Sequence, residues 1–310
     1  MPSLKEHVKK PLPSWLLLLR RYRKLHGVFP NLLRPGTLNE KILYRILFDR
    51  RPILRRLADK GAVRDYVEAR LGTAVLPKLY WLGRRPAEIP FDALPDRFVV
   101  KPTHGSGWVR IVRDKAALDR RALVAECERW LKQSYYEITR EWVYKSIVPE
   151  ILVEEFIEDG KGGPVPNDYR LFVFGGEAGV ELIEVNVGHL ARGRVRLYTR
   201  QWEKLAPEPG NGDVPRPAHL DEMVAAARNL CGDLDFIRVD FYDTPVQFYF
   251  AEITTCPECG MGRLILKGLD RRLGGYWQLP RWAELRPGLT KDPEDKRLPS
   301  GMEISRNEMV

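Results

Sequence analysis

Two hydrophobic rhythms run along this chain, one repeating every three to four residues and one every two. Residues 14–26 and 39–58 carry the first. In the second stretch Ile42, Ile46, Ile53, Leu54 and Leu57 recur near helical spacing with arginines between them, so both stretches predict basic amphipathic helices. Arg34-Pro35-Gly36-Thr37 reads as a turn, and Thr37 with Glu40 three residues on has the form of a capping box. Asp59 to Leu71 predicts a short helix stopped by Gly72. Val75 to Leu82 is strand-like, and Pro86 to Pro95 is a proline-punctuated connector. Phe98–Lys101 and Trp108–Val112 predict a hairpin around the turn His104-Gly105-Ser106-Gly107, and residues 115–145 are mostly helical. Ile151 to Ile157 is a β-branched strand ending in acid, followed by a Gly160–Gly163 loop. Tyr169–Phe174 and Val180–Val187 predict strands joined by Gly175-Gly176. Pro207–Pro217 is a loop, Leu220–Leu230 a helix, and Ile237–Tyr242 with Gln247–Ile253 a second hairpin. After Trp282 the chain is rich in proline and charge and is expected to be loosely held. This order predicts an α+β chain with mainly antiparallel sheets and no internal repeat.

With 310 residues the chain can bury a sizeable core, as one large domain or two to three small ones. No run of 18 apolar residues occurs, and Trp15-Leu16-Leu17-Leu18-Leu19 is too short for the apolar core of a secretory signal. A cytoplasmic location is therefore expected. The net charge of +9 is uneven: residues 1–60 hold fifteen Lys/Arg against four Asp/Glu, a local +11, which leaves −2 for the rest. Such a front end suits an anionic polymer or a membrane surface, although a solvated helical surface explains most of these cations equally well. Four cysteines are too few for a disulfide scaffold. Cys256-Pro257-Glu258-Cys259 has the spacing of half a zinc site, but no second CxxC or HxxxH accompanies it; two reduced thiols in a loop is the default.

The stretch "IRVDFYDTPVQFYFAEITT" places Asp240 and Glu252 among residues suited to a buried sheet. Strand alternation puts Arg238, Asp240 and Tyr242 on one face. On the return strand it groups Phe248, Phe250, Glu252 and Thr254. A turn centred on residue 245 sets Asp240 opposite Phe250 and Arg238 opposite Glu252, with the two carboxylates diagonal and roughly 7–8 Å apart. Two carboxylates on a wet face suit Mg²⁺ together with substrate phosphates. A cross-strand Arg238–Glu252 ion pair with Asp240 exposed is the other reading.

Further upstream, Lys101 ends a strand just before His104, Gly105, Ser106 and Gly107. Glycines allow backbone N–H groups to approach phosphate, and lysine adds a point charge. A plain β-turn accounts for the same residues, and no GxxxxGK[ST] loop occurs. The acid-tipped strand "ILVEEFI" can offer backbone groups to an adenine and a carboxylate to a ribose, or simply be a sheet strand with solvated acids.

Six pieces in order resemble the TupA-like (teichuronopeptide biosynthesis) branch of the ATP-grasp superfamily: "LRPGTLNEKILYR", "LADKGAVRDYVEARLG", "LPDRFVVKPTHGSG", "VPEILVEEFI", "NDYRLFVFGGE" and "FIRVDFYD…FYFAEITTCPECG". The resemblance runs from about Leu33 to Arg263. It implies an ATP-grasp fold in which two α+β subdomains clasp ATP, preceded by a short basic helical region. The implied division is 1–57 for that region, 58–157 for the small subdomain, 158–281 for the large subdomain and 282–310 for the tail. It implies Lys60 and Lys101 on the ATP phosphates, His104 to Gly107 as the covering loop, and Glu154, Glu155, Phe156 and Ile157 as the adenine hinge. Asp240 and Glu252 match the magnesium carboxylates, and Thr254 stands where many such ligases have Asn. Arg238 matches an arginine near the transferred phosphoryl group; Arg170, beside Asp168, faces the same cleft. The implied activity is an ATP- and Mg²⁺-dependent carboxylate–amine ligase, acting through an acyl phosphate in cell-surface polysaccharide or polypeptide synthesis. Its partners would be carboxylate and amine substrates. A kinase acting on a hydroxyl is the rival enzyme. A non-catalytic binder of acidic polymer or nucleic acid ranks last, because the aromatics form no obvious stacking platform.

Overall fold

The computed structural model describes residues 12–158, 166–187, 194–205, 214–262 and 268–285. The Gly160–Gly163 loop, most of the 207–217 loop, Arg263 and the tail beyond residue 285 lie outside them. Four helices lead: α1 (Ser14–His26), α2 (Leu38–Phe48), α3 (Pro52–Ala58) and α4 (Ala62–Leu71). Strands β1 (Leu79–Gly83), β2 (Phe98–Pro102) and β3 (Arg110–Val112) follow, then α5 (Arg120–Lys132), α6 (Tyr135–Thr139) and β4 (Ile151–Glu155). The second half holds β5 (Asp168–Phe174), β6 (Gly179–Val187), β7 (Arg194–Tyr198), α7 (Leu220–Cys231), β8 (Phe236–Asp243) and β9 (Phe248–Thr254). Short helices α8 (Leu269–Tyr276) and α9 (Trp282–Leu285) close the described chain. Two antiparallel sheets result, β1-β4-β2-β3 and β7-β6-β5-β8-β9.

The capping box forms as written: the Glu40 N–H donates to Thr37 Oγ1, and Glu40 Oε2 accepts from the Thr37 N–H. The single helix expected over 39–58 is broken. Asp49, Arg50 and Arg51 are extended or irregular, and Pro52 starts α3 at its first position, where a missing N–H costs nothing. A proline also pushes its predecessor out of helical geometry. Gly72 does end α4, at φ 80°. The strand expected from Val75 begins later, at Leu79, and the one expected from Trp108 shortens to three residues.

In the small sheet, alternation sends Phe98, Val100, Ile151 and Val153 into a core with Leu123, Cys127 and Trp130 of α5. The opposite face carries Val99, Lys101 and Glu154 towards the large sheet. One face of the large sheet packs on α4 and α7 through Leu171, Val173, Ile237 and Val239. The other face is apolar at one end, where Phe172, Phe174, Leu182 and Phe236 meet α1, α2, α8 and Trp277. At its other end the same rows become charged.

The β8–β9 register differs from the one expected. Asp240 pairs directly with Glu252 and Arg238 with Thr254, while Phe241 pairs with Phe250. Ala251 is thus an extra residue on β9, a β-bulge. The bulge reverses the alternation: Phe248 and Phe250 join the core, and Glu252 and Thr254 face the other way. They do not share a face, and the carboxylates sit opposite rather than diagonal. The expected grouping assumed an unbroken period of two.

Candidate functional site

Two neighbouring strands of the large sheet build the charged surface. On β5 the residues of one face are Asp168, Arg170, Phe172 and Phe174; on β8 they are Phe236, Arg238, Asp240 and Tyr242. The phenylalanines are sealed by helices, and the charged residues line a cleft against the small sheet.

Arg238 is buried, and its Nε and Nη2 grip Asp240 Oδ1 and Oδ2 at 2.8 and 2.6 Å. Nη2 also reaches Thr254 Oγ1 at 3.1 Å and Glu252 Oε1 at 3.4 Å. The cross-strand ion pair is therefore present but secondary, and Asp240 is buried rather than exposed. Arg170 donates from Nε to Asp168 Oδ2 and from Nη1 to Glu184 Oε1, both at 2.8 Å. Burial pushes the Asp240 carboxyl well above its ordinary range, against the pull of Arg238 and with the help of the Asp168 charge. Glu252 moves the other way. Burial opposes its ionisation, but Lys60, Arg238, Lys101 and Arg170 together hold it down to about 2.

From the opposite wall, Lys101 Nζ pairs with Glu154 Oε1 at 2.5 Å, and Arg64 reaches Glu154 Oε2 at 3.4 Å. Lys60 precedes α4; its Nζ donates to the Gly105 carbonyl at 2.7 Å and lies 3.4 Å from Glu252 Oε2. Lys60 thus ties the 104–107 turn to the large sheet. Ser106 and Gly107 line the cleft, and Gly107 has φ +77°. A Cβ on Gly105 would lie 2.8 Å from the Trp108 ring, so the turn is closed against that indole. His104 departs from the expectation that it covers phosphate. Its imidazole is buried beneath the turn, with Nε2 on the carbonyls of Trp130 and Gln133, and burial lowers its pKa. It anchors the turn to α5. At the end of β4 and just past it, Glu155, Phe156 and Ile157 line the far end of the cleft, and Glu155 Oε2 accepts the Lys78 N–H at 3.1 Å.

Among the described residues no group of three or more His, Cys, Asp or Glu side chains forms a ready metal cage. Mg²⁺ does not need one, because it binds through one or two carboxylates and completes its shell with phosphate and water. Asp240 and Glu252 directly opposite each other supply oxygen donors of that kind. Burial is the first cause of the upward push on Asp240, and these two facing carboxylates are hard oxygen donors of the kind a divalent cation takes.

Behind this wall lies a second cavity lined by Ser106, Tyr135, Glu141, Tyr144, Cys256 and Cys259. Cys259 Sγ donates to Glu141 Oε1 at 3.1 Å, and burial raises both Cys256 and Cys259 above the ordinary thiol range. Neither is a reactive thiolate. Burial likewise pushes Glu141 up to about 7, so it holds a proton in the fold that it loses near pH 4.5 when unfolded. Its contribution therefore falls as pH rises from 4.5 to 7, costing about 3 kcal/mol above that window. Glu141→Gln is expected to leave stability unchanged at pH 4.5 and to raise it at pH 8, measured as Tm at both values.

Sequence reasoning missed Glu184, Glu258, Glu141 and the two half-buried tyrosines at 135 and 144, and it placed Tyr242 only by its strand face. Glu184 was legible by parity, two residues from buried Leu182 on the same row. Glu258 carried no signal beyond its place between two cysteines.

The cleft between the two sheets thus carries lysines on one wall and a row of paired arginines and carboxylates on the other. Residues 40–278 match the family model for TupA-like ATPgrasp. The chain belongs to the TupA-like ATP-grasp family. No curated protein matches it in sequence. Among solved structures it is similar to D-alanine–D-alanine ligase from Bacillus anthracis complexed with ATP, at 18% identity over 75% of this chain and 65% of that one, with a TM-score of 0.43. It is similar to D-alanine–D-alanine ligase from Helicobacter pylori at 18% identity, 72% and 61% coverage and a TM-score of 0.46. An L-amino acid ligase from Bacillus licheniformis gives 14%, 88% and 61%, with a TM-score of 0.47. The chain spans just under two thirds of the length of these structures. The family assignment rests on the sequence match.

Proposed function

We propose that this protein is an ATP-dependent carboxylate–amine ligase that works through an acyl phosphate. The observation that carries this reading is the convergence of Lys60 and Lys101 with Arg170, Arg238, Asp240 and Glu252 on one cleft of about 270 Å³. In this reading Lys60 and Lys101 bind the polyphosphate, and Ser106 and Gly107 cover it. Glu154 to Ile157 receive the nucleoside. Arg238 and Arg170 balance charge on the transferring phosphoryl group and orient the substrate carboxylate. Asp240 and Glu252 would hold Mg²⁺, which supplies Lewis-acid neutralisation of phosphate oxygens. Thr254 fixes Arg238 through its hydroxyl. The division at residues 57, 157 and 281 belongs to the same reading.

The reading extends to an acceptor in cell-surface polymer synthesis at the cytoplasmic side. No helix among the described residues is long and apolar enough to cross a membrane. The basic front end supports contact with an anionic polymer or membrane surface: exposed Trp15, Val28, Phe29 and Leu33 lie close in sequence to Arg20, Arg21, Arg23 and Lys24.

The test is ADP release from Mg·ATP across a panel of amino acids and acidic sugars, with mass analysis of products. Amine-dependent ADP and a new amide mass are expected. ADP with a phosphorylated hydroxyl would make the protein a kinase, and no ADP with any pair would remove the ligase reading.

A further inference from the structure

A separate cavity of about 270 Å³ lies on the far side of the two arginines from Lys101. Helix α2 roofs it with Leu38, Asn39 and Ile42, and the sheet floors it with Phe172, Val195 and Leu197. Arg170, Arg238 and Glu258 line both this chamber and the nucleotide cleft, so the two communicate at those side chains. One end of the chamber is therefore charged, with Arg170, Arg238 and Glu184, and the other aliphatic.

Glu258 differs from every other acid at that junction. Asp168, Glu184, Asp240, Glu252 and Glu154 are each paired with a cation, and Glu155 accepts a backbone N–H. Among the described residues the Glu258 carboxylate has no hydrogen bond or ion pair, and the residue is exposed. Its backbone is strained as well. Glu258 and Cys259 are consecutive non-glycine residues at φ +50° and +55°, a conformation costing about 1–2 kcal/mol each. Gly260 follows at φ +70°, and a Cβ there would lie 2.7 Å from the Asn39 carbonyl of α2. The turn is thus pressed against the roof helix, and its tip aims Glu258 at the opening.

We infer that the chamber under α2 is the acceptor site: it takes a free aliphatic amino acid by its carboxylate and side chain, while Glu258 receives the incoming amine. This rests on the ligase reading above and adds the substrate class. The carboxylate sits on Arg170 and Arg238, and the aliphatic body lies on Leu38, Ile42, Phe172 and Leu197. A carboxylate oxygen attacks the γ-phosphorus, the bond to the ADP oxygen breaks, and ADP leaves. Glu258 takes one proton from the ammonium of the second substrate. The freed amine attacks the acyl carbon, the C–N bond forms, and the C–O bond to phosphate breaks. Phosphate departs with the remaining proton as hydrogen phosphate. Helix α2 thereby closes the site.

The experiment uses the full chain with Mg·AMP-PNP, L-leucine and a coupled ADP assay. L-leucine is expected to bind the AMP-PNP complex by calorimetry and to stimulate ADP release in the wild type. Gly262→Leu narrows the chamber from a position where a Cβ meets only ordinary contacts at 3.5 Å or more. It is expected to raise KM for leucine at least tenfold, with AMP-PNP affinity within twofold of wild type. Glu258→Gln is expected to raise KM for the amine at least tenfold and to lower kcat at least tenfold. Glu258→Asp should restore part of both. Tm values within 2 °C of wild type exclude a folding defect. Wild-type ADP release stimulated only by acidic or sugar substrates, or unchanged leucine and amine kinetics in both variants, would overturn the chamber and leave the ligase reading standing. Failure of the wild type to bind AMP-PNP or to release ADP with any substrate would overturn both.

Discussion

Glu252→Gln is expected to lower Mg·ATP-dependent ADP release by at least ~10²-fold. The carboxylate lies 3.4 Å from both Lys60 Nζ and Arg238 Nη2, and directly across from Asp240. The amide keeps the shape but removes the charge that partners Lys60 and Arg238 and that, under the proposed function, would hold a divalent ion. Free Mg²⁺ needed for half-maximal rate should therefore rise in parallel, which a magnesium titration at fixed ATP measures. The group is held ionised down to about 2, so the wild-type requirement for Mg²⁺ should not change between pH 5 and 8 on its account. Wild-type rate and magnesium dependence in the mutant would falsify the placement of Glu252 in the chemistry.

The second large effect concerns stability. Asp235→Ala should destabilise the fold by about 3–5 kcal/mol, because it strands buried charge. Asp235 accepts Arg45 and Arg51 at 2.7 Å each and the Trp277 indole N–H at 2.6 Å. Arg45 is almost fully buried and also donates to the carbonyls of Phe236 and Thr255, while its guanidinium lies over Trp277. This cluster fastens α2 and α8 to the ends of β8 and β9, so its loss loosens the roof of the chamber with the core. A Tm decrease of about 10 °C is expected. Burial alone would raise the Asp235 pKa, but Arg45 and Arg51 hold it below the ordinary 3.8. Its stabilisation is therefore complete above pH 4 and is lost as pH falls through its folded value. The gap between wild type and Asp235→Ala should narrow below pH 4.

Much of the local structure was legible in the sequence. Alternation announced β5 and β8, and the Thr37–Glu40 box and Gly72 set helix ends through forces that act within a few residues. Proline at 52 was equally readable as a break, yet the aliphatic spacing from Ile42 to Leu57 masked it. The β9 register was not legible, because a bulge is a non-local choice: Ala251 is expelled so that Phe250 reaches Phe241 and the core. His104 looked like a ligand because its neighbours Ser106 and Gly107 line the cleft. Only the position of α5 shows that its ring is claimed by two carbonyls. Glu258 was invisible for a related reason. Its orientation depends on a left-handed turn wedged against a helix more than 200 residues away in sequence.

The odd residue in β9 also constrains anyone who would recombine this protein with a relative. A ribbon of equal length but regular pairing, spliced in between Thr244 and Cys256, would preserve the pairing at the turn and still rotate Glu252 half a turn into oil, away from Asp240. Crossover points in a chimera should therefore fall outside the ribbon, or the donor segment should bring its own extra residue.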